Sequence, residues 1–253
     1  MTNSSIRFTV WIILGATVGG VSPSFAARAA EPAASPTLGA APPSGASVLF
    51  DGSNQDAWVS QMDRQWEKSD GPADWNITPE GWLEVAPGTG SLITKERFGD
   101  FLLHLEFRLP PGEINGGVYL MARYEVGLSG ASEPSERTRC GEFANLQEPI
   151  RPLVDASGLA GEWQSLDIEF RAPRLKSTGE VLERARATVV LNGVTIHDDV
   201  ALGPRKGAAK RLGDAAESVL MLQDHGNSYQ FQNIWIVDRG RRPTDSKPPR
   251  ANE

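Results

Sequence analysis

Cysteine is almost missing from this chain: Cys140 stands alone among 253 residues, so no internal disulfide can hold the fold together. Stability must come from a core, and about 200 residues suffice for one large domain. Basic residues are the minority, 25 against 32 acidic, and the formal net charge of −7 disfavours nucleic acid or an anionic membrane as a partner. Long apolar runs are also missing, except at the start. There, residues 8–21 follow the single charge of Arg7, are diluted by glycine, alanine and threonine, and lead to the small-x-small site Ser24-Phe25-Ala26. The run is too short to span a bilayer comfortably, which predicts a cleaved export signal over 1–26, with a second cleavage position after Ala29. The mature protein is expected in the periplasm or outside the cell, without stable membrane insertion. No Ser/His/Asp arrangement, zinc-type spacing, phosphate loop or dinucleotide fingerprint is present.

What is present is period-two patterning between two polar ends. Residues 27–45 are almost entirely Ala, Pro, Ser and Gly, which predicts a disordered tether; 239–253 read as a polar tail. The domain is expected over 46–238. Phe101, Leu103, Leu105, Phe107 and Leu109 alternate with more polar neighbours, as do Leu166, Ile168 and Phe170. Each is a strand with one buried face. Residues 187–191 end in Asn192-Gly193, a hairpin turn, and Val194-Thr195-Ile196 returns. Phe231, Asn233 and Trp235 alternate with Gln232, Ile234 and Ile236. Residues 208–217 alone have a helix-like composition. Many strands with Gly and Pro turns predict an all-β sandwich or barrel. Most of the six tryptophans beyond the signal are expected in its core.

Two segments could carry chemistry. Residues 220–228 end an apolar run in Gln223, Asp224, His225 and Gly226, placing one of only three histidines beside a carboxylate in a turn. In residues 115–126, continuous alternation puts Val118, Leu120, Ala122, Tyr124 and Val126 on one face, and Tyr119, Met121, Arg123 and Glu125 on the other. If both strands share a curved sheet, Arg123, Glu125, Gln223 and His225 converge on a groove suited to a sugar. The plainer reading of Arg123 and Glu125 is a solvated ion pair. His104, with Glu106 and Arg108, is expected to face water, and His197 to lie on the surface.

Together these segments resemble a known family. The markers are Leu49-Phe50-Asp51-Gly52 with Trp58, Gly99-Asp100-Phe101, Asn115-Gly116-Gly117-Val118-Tyr119-Leu120 and Arg123-Tyr124-Glu125-Val126. Gly161-Glu162-Trp163-Gln164, Leu191-Asn192-Gly193, Leu222-Gln223-Asp224-His225-Gly226 and Phe231-Gln232-Asn233-Ile234 follow in order. Their sequence is similar to that of the 3-keto-disaccharide hydrolases, also described as 3-keto-glucoside lyase/hydratases. The resemblance implies a concanavalin-like jelly-roll β-sandwich of two antiparallel sheets, and cleavage of glycosides already oxidised at C3. On that basis Glu125 and His225 are the acid and base in either order, and Asp224 orients the imidazole. Arg123 would stabilise negative charge, while Asn115, Tyr119, Gln147 and Gln223 would contact the substrate. A divalent metal polarising the ketone stays open, with Glu125, Asp224 and His225 as the grouped ligands. The chain departs from the family pattern at Gly127 and Ser129, where the family carries Gln and Asp. A non-catalytic carbohydrate-binding module and an ordinary two-carboxylate glycosidase, pairing Glu125 with Asp224 or Glu106, are the rivals.

Overall fold

The structure, a computed structural model, describes residues 35–62, 65–112, 114–130 and 139–240. The expected export signal and the tail beyond residue 240 lie outside the described residues. In chain order the strands are β1 (Ser47–Phe50), β2 (Trp58–Gln61), β3 (Ser69–Pro72), β4 (Asn76–Ile77), β5 (Leu83–Glu84), β6 (Leu92–Thr94), β7 (Phe101–Arg108) and β8 (Gly116–Leu120). They continue as β9 (Tyr124–Leu128), β10 (Trp163–Arg171), β11 (Arg174–Leu175), β12 (Val181–Glu183), β13 (Arg186–Leu191), β14 (Val194–Ala201), β15 (Met221–Leu222) and β16 (Gln230–Asp238).

One sheet has the order β14-β13-β10-β7-β16-β5-β4, with β1 also on β16. The other runs β3-β2-β6-β15-β8-β9, and every pairing is antiparallel. Alternation puts Phe101, Leu103, Leu105 and Phe107 of β7 inside, where they share one core with Val118, Leu120, Val126 and Leu222 of the opposite sheet. The molecule is therefore all-β, a jelly-roll sandwich of two antiparallel sheets.

Several sequence expectations need correcting. Residues 116–128 are not one strand but a hairpin. It turns at Met121 and Ala122, both left-handed at φ 56° and 53°, and Arg123 N–H donates to Leu120 O at 3.0 Å. The turn breaks the parity, so Met121 joins the main core and Ala122 packs on the other side with Tyr119. Likewise β16 carries a bulge between Gln232 and Trp235, with Asn233 at φ 45°. The extra residue returns Ile234 and Ile236 to the core side with Phe231 and sends Asn233 and Trp235 outward. The helix-like stretch contributes one 3-10 turn, Ala208–Arg211. Only Trp58 and Trp75 of the described tryptophans are fully buried; the rest are half-buried.

The outer face of the larger sheet is not solvated where a water-facing His104 was expected. His104 and Glu106 are completely buried, and His104 stacks on Trp235 at 4.9 Å between ring centroids. What covers them is the supposed tether. Gly39 N–H donates to Glu106 Oε1 at 2.6 Å, Thr37 Oγ1 to Asp167 Oδ2 at 2.7 Å, and Asn233 Nδ2 to Ala40 O at 2.9 Å. From Ser35 onward the Ala/Pro-rich segment is thus a strap, which adds hydrogen bonds to the polar cluster of His104, Glu106, Asp167 and Asn233 that it covers. His197 is also buried, with Nε2 against Gly141 O at 2.8 Å, and burial lowers its pKa. Cys140 is a buried thiol outside any disulfide, and burial pushes its pKa up to about 12.

Candidate active site

The smaller sheet turns its outer face to a pocket of about 320 Å³, within the size range of small-ligand sites. Tyr119 and Glu125 are directly opposed cross-strand partners on β8 and β9. Their neighbours Val118, Leu120, Tyr124 and Val126 face the core, which leaves these two pointing outward. Gln223 extends the adjacent β15, its N–H donating to Gly117 O at 3.0 Å, and His225 follows two residues later. Gly117 makes the convergence possible. A Cβ there would lie 3.0 Å from Glu125 Cγ and 3.4 Å from Gln223 Oε1. Gly116 has a similar reason: a Cβ would fall 2.5 Å from the Tyr229 ring, whose hydroxyl donates to Gln223 O.

Glu125 is the centre of the site. Its Oε2 accepts from Tyr119 Oη at 2.9 Å, and Gln223 Nε2 reaches the same hydroxyl at 3.4 Å. Burial raises the Glu125 pKa, and the charge of nearby Glu142 adds to this; the Tyr119 bond and the charge of Lys206 pull the other way, and burial wins. Tyr119 is driven upward by burial and then by the Glu125 charge, so it remains a neutral donor. Its ring meets Trp66 edge-on at 5.3 Å, which sets an aromatic wall beside the carboxylate. The Glu125 main chain is clamped as well: its N–H donates to Asn145 Oδ1 at 3.1 Å, and Asn145 Nδ2 donates to Arg123 O at 2.7 Å.

His225 is exposed at the rim, with Asn115 Nδ2 donating to its Nδ1 at 3.0 Å. An amide nitrogen only donates, so Nδ1 is the acceptor and the neutral ring carries its proton on Nε2. Gln223 Oε1 is buried yet accepts no hydrogen bond, an unmet acceptor among pocket-lining atoms.

Asn115, Tyr119, Glu125, Gln223 and His225 therefore line one pocket, though the chain separates the outermost of them by 110 residues. Three expected members do not join them. Arg123 is buried, with Nε on Gly213 O at 2.7 Å and Nη1 on Glu67 Oε1 at 3.1 Å and on Met121 O at 2.8 Å. The turn at 121–122 is the reason, since it aims this side chain under the loop and away from the groove. Burial opposes the charge of Glu67, but the Ser218 hydroxyl and Arg123 hold its pKa down to about 2. Asp224 does not orient the imidazole. Its Oδ2 accepts from Gly88 N at 2.7 Å and Gly90 N at 3.1 Å, so it fastens the 86–90 loop instead. Gln147 lies beyond the chain wall at 203–205, in a separate cleft with Arg184 and Pro204. Glu125, Asp224 and His225 are consequently not gathered as a metal-ligand set, and among the described residues no other group of three His, Cys, Asp or Glu is either. Trp66, Asn145 and Lys206 line or shape the pocket without any signal in local sequence, because each comes from a loop whose path depends on the fold.

Residues 45–237 match the family of 3-keto-α-glucoside-1,2-lyase-like domains. The chain belongs to that family. As a member it is a carbohydrate-active, glycosyl-hydrolase-like protein. Among solved structures it resembles a "putative glycosyl hydrolase" from Parabacteroides distasonis ATCC 8503. That protein is 29% identical with a TM-score of 0.65, over 78% of this chain and 84% of that one. A second "putative glycosyl hydrolase" from the same strain is 15% identical with a TM-score of 0.51, over 77% and 94%, and shares the fold. No curated protein matches.

Proposed function

We propose that the protein is an exported enzyme that cleaves 3-keto-glycosides by elimination followed by hydration, with Glu125 as base and His225 as acid. The observation that carries this reading is Glu125, a half-buried carboxylate of raised pKa, held by Tyr119 in a pocket it shares with an imidazole presenting Nε2–H. A ketone at C3 acidifies the C2 proton, so a carboxylate of raised basicity is suited to remove it. The C2–H electron pair forms a C2=C3 bond while the carbonyl pair moves onto oxygen. The enolate then re-forms the ketone, C1=C2 forms, and the C1–O bond breaks. The leaving oxygen keeps that electron pair and takes a proton from His225 Nε2. Water finally adds its hydroxyl to C1 and gives its proton to His225, while Glu125 returns the proton it holds to C2, so both residues are restored and the sum is hydrolysis. Gln223 Oε1, an acceptor without a donor, suits a sugar hydroxyl, and the Trp66 and Tyr119 rings suit its apolar face.

The ordinary glycosidase route finds less support, because Glu125 is the one carboxylate among the pocket-lining residues. Glu106 belongs to the other sheet and Asp224 is bonded to the 86–90 loop. Gly127, two residues along β9 from Glu125, brings no side chain to that strand and favours the binding-module alternative. Incubation with a 3-keto glycoside and with its unoxidised parent separates the three. Turnover of the keto sugar alone is expected, lost in His225→Ala with the melting temperature unchanged. Turnover of both sugars means a glycosidase, and saturable binding without turnover means a module.

A further inference from the structure

The elimination places a negative charge on the C3 oxygen, and the pocket must hold a donor for it. Arg123, the cation the sequence suggests, is buried and bonded to Glu67, Gly213 and Met121. The pocket lining itself contains one lysine or arginine, Lys206. Its main chain is tied to the same residue that clamps Glu125: Lys206 N–H donates to Asn145 O at 2.8 Å, while Asn145 Oδ1 accepts from Glu125 N. The preceding Arg205 anchors the loop from its far side, through Asp214 at 2.6 Å, Tyr124 Oη at 3.1 Å and Leu212 O at 2.9 Å. Gly207, left-handed at φ 60°, then turns the chain into the 3-10 segment whose first residues also line the pocket. The Lys206 ammonium has no hydrogen-bonding or ion-pair partner among the described residues, so a cation stands unpaired on a positioned loop beside a half-buried carboxylate.

We propose that Lys206 is the electrophilic catalytic residue, its ammonium donating to the C3 oxygen as the enolate forms. This rests on the elimination reading above. Glu125 takes the C2 proton, the electron pair ends on the C3 oxygen, and Lys206 stabilises it there without transferring its own proton. It returns to its starting state when the ketone re-forms. Because the Lys206 charge also holds down the Glu125 pKa, the two residues are coupled, and removing the lysine makes the carboxylate harder to ionise.

The test uses the wild-type protein, Lys206→Met and Lys206→Arg with a 3-keto glycoside. The readouts are kcat and KM, their pH dependence, and deuterium exchange at C2 in D2O. Lys206→Met is expected to lower kcat about 10²–10³-fold, with KM within a few-fold and exchange slowed in parallel. Its acidic limb of kcat should move to higher pH, and Lys206→Arg should recover part of the rate. Lys206 is exposed, so the melting temperature should not change. Wild-type kcat and exchange in Lys206→Met, or a loss confined to KM, overturns the role of Lys206 while leaving the elimination intact. A wild-type protein that neither turns over the keto glycoside nor exchanges C2 overturns the elimination reading, and the Lys206 role with it.

Discussion

Glu125 ties function to a stability cost. Its folded pKa is raised, so the folded state favours the protonated carboxyl: the benefit is present at low pH and is lost as pH rises through the folded value. At neutral pH the ionised Glu125 is therefore a destabilising group, and Gln can still accept from Tyr119. Glu125→Gln should lower kcat by about 10²–10⁴-fold and raise the melting temperature at pH 7, the gain vanishing below about pH 4, near the ordinary carboxylate range. A variant that is less stable at pH 7 would mean the carboxylate is better solvated than its burial indicates. His104 has the opposite character. Burial works against its charge, but the hydrogen bonds to Asp167 at 2.7 Å and Glu106 at 3.4 Å prevail and hold the pKa at about 9. Its contribution is full below the ordinary value of 6.5 and is lost as pH rises through about 9. Urea midpoints should fall between those two values in the wild type, and His104→Gln should remove that slope.

The β8–β9 hairpin with the adjoining end of β15 is what assembles the pocket. Cross-strand pairing fixes Tyr119 opposite Glu125, and the glycine pair Gly116-Gly117 leaves room for Tyr229 beneath and the acidic side chain above. Gly117→Ala would bring a methyl to 3.0 Å from Glu125 Cγ and 3.2 Å from its Oε1, contacts that a flexible side chain relieves by moving. The expected outcome is a kcat loss of up to about 10²-fold, from misplacement on the order of an ångström. Stability should change little, because no backbone atom is struck. Kinetics alongside thermal unfolding decide the matter: a large drop in melting temperature would show that the strand, not the side chain, gives way.

For the whole molecule, one core joins both sheets, and the strap at 35–40 closes the outer face of the larger one. Phe231 sits in that core, completely buried between Trp75 at 6.3 Å and Tyr229 at 5.4 Å. Phe231→Ala should destabilise by about 3–5 kcal/mol, measured by chemical denaturation. A change near zero would mean that Phe231 is not packed in the core.

The sandwich was legible in the chain because burying one face of a strand imposes a period of two, and β7 keeps that period unbroken. The outward direction of Glu125 was legible too, since Tyr124 and Val126 on either side of it are core residues, but its meeting with His225 was an inference that only the pocket lining supports. Parity reasoning failed wherever one residue shifts the frame. Two left-handed residues at 121–122 sent Arg123 into the interior, and the bulge at Asn233 reversed half of β16. Local composition was no guide to the segment at 35–45, whose Ala and Pro look unstructured. It is held by hydrogen bonds from its N–H and hydroxyl groups to the buried Glu106 and the half-buried Asp167. Spacing along the chain thus decided which faces are apolar, a property of neighbouring residues. The partners of Arg123, Asp224, His225 and Lys206 depend on where distant loops cross the sheet. Hydrogen bonds act over about 3 Å, and only the folded path brings those groups within that reach.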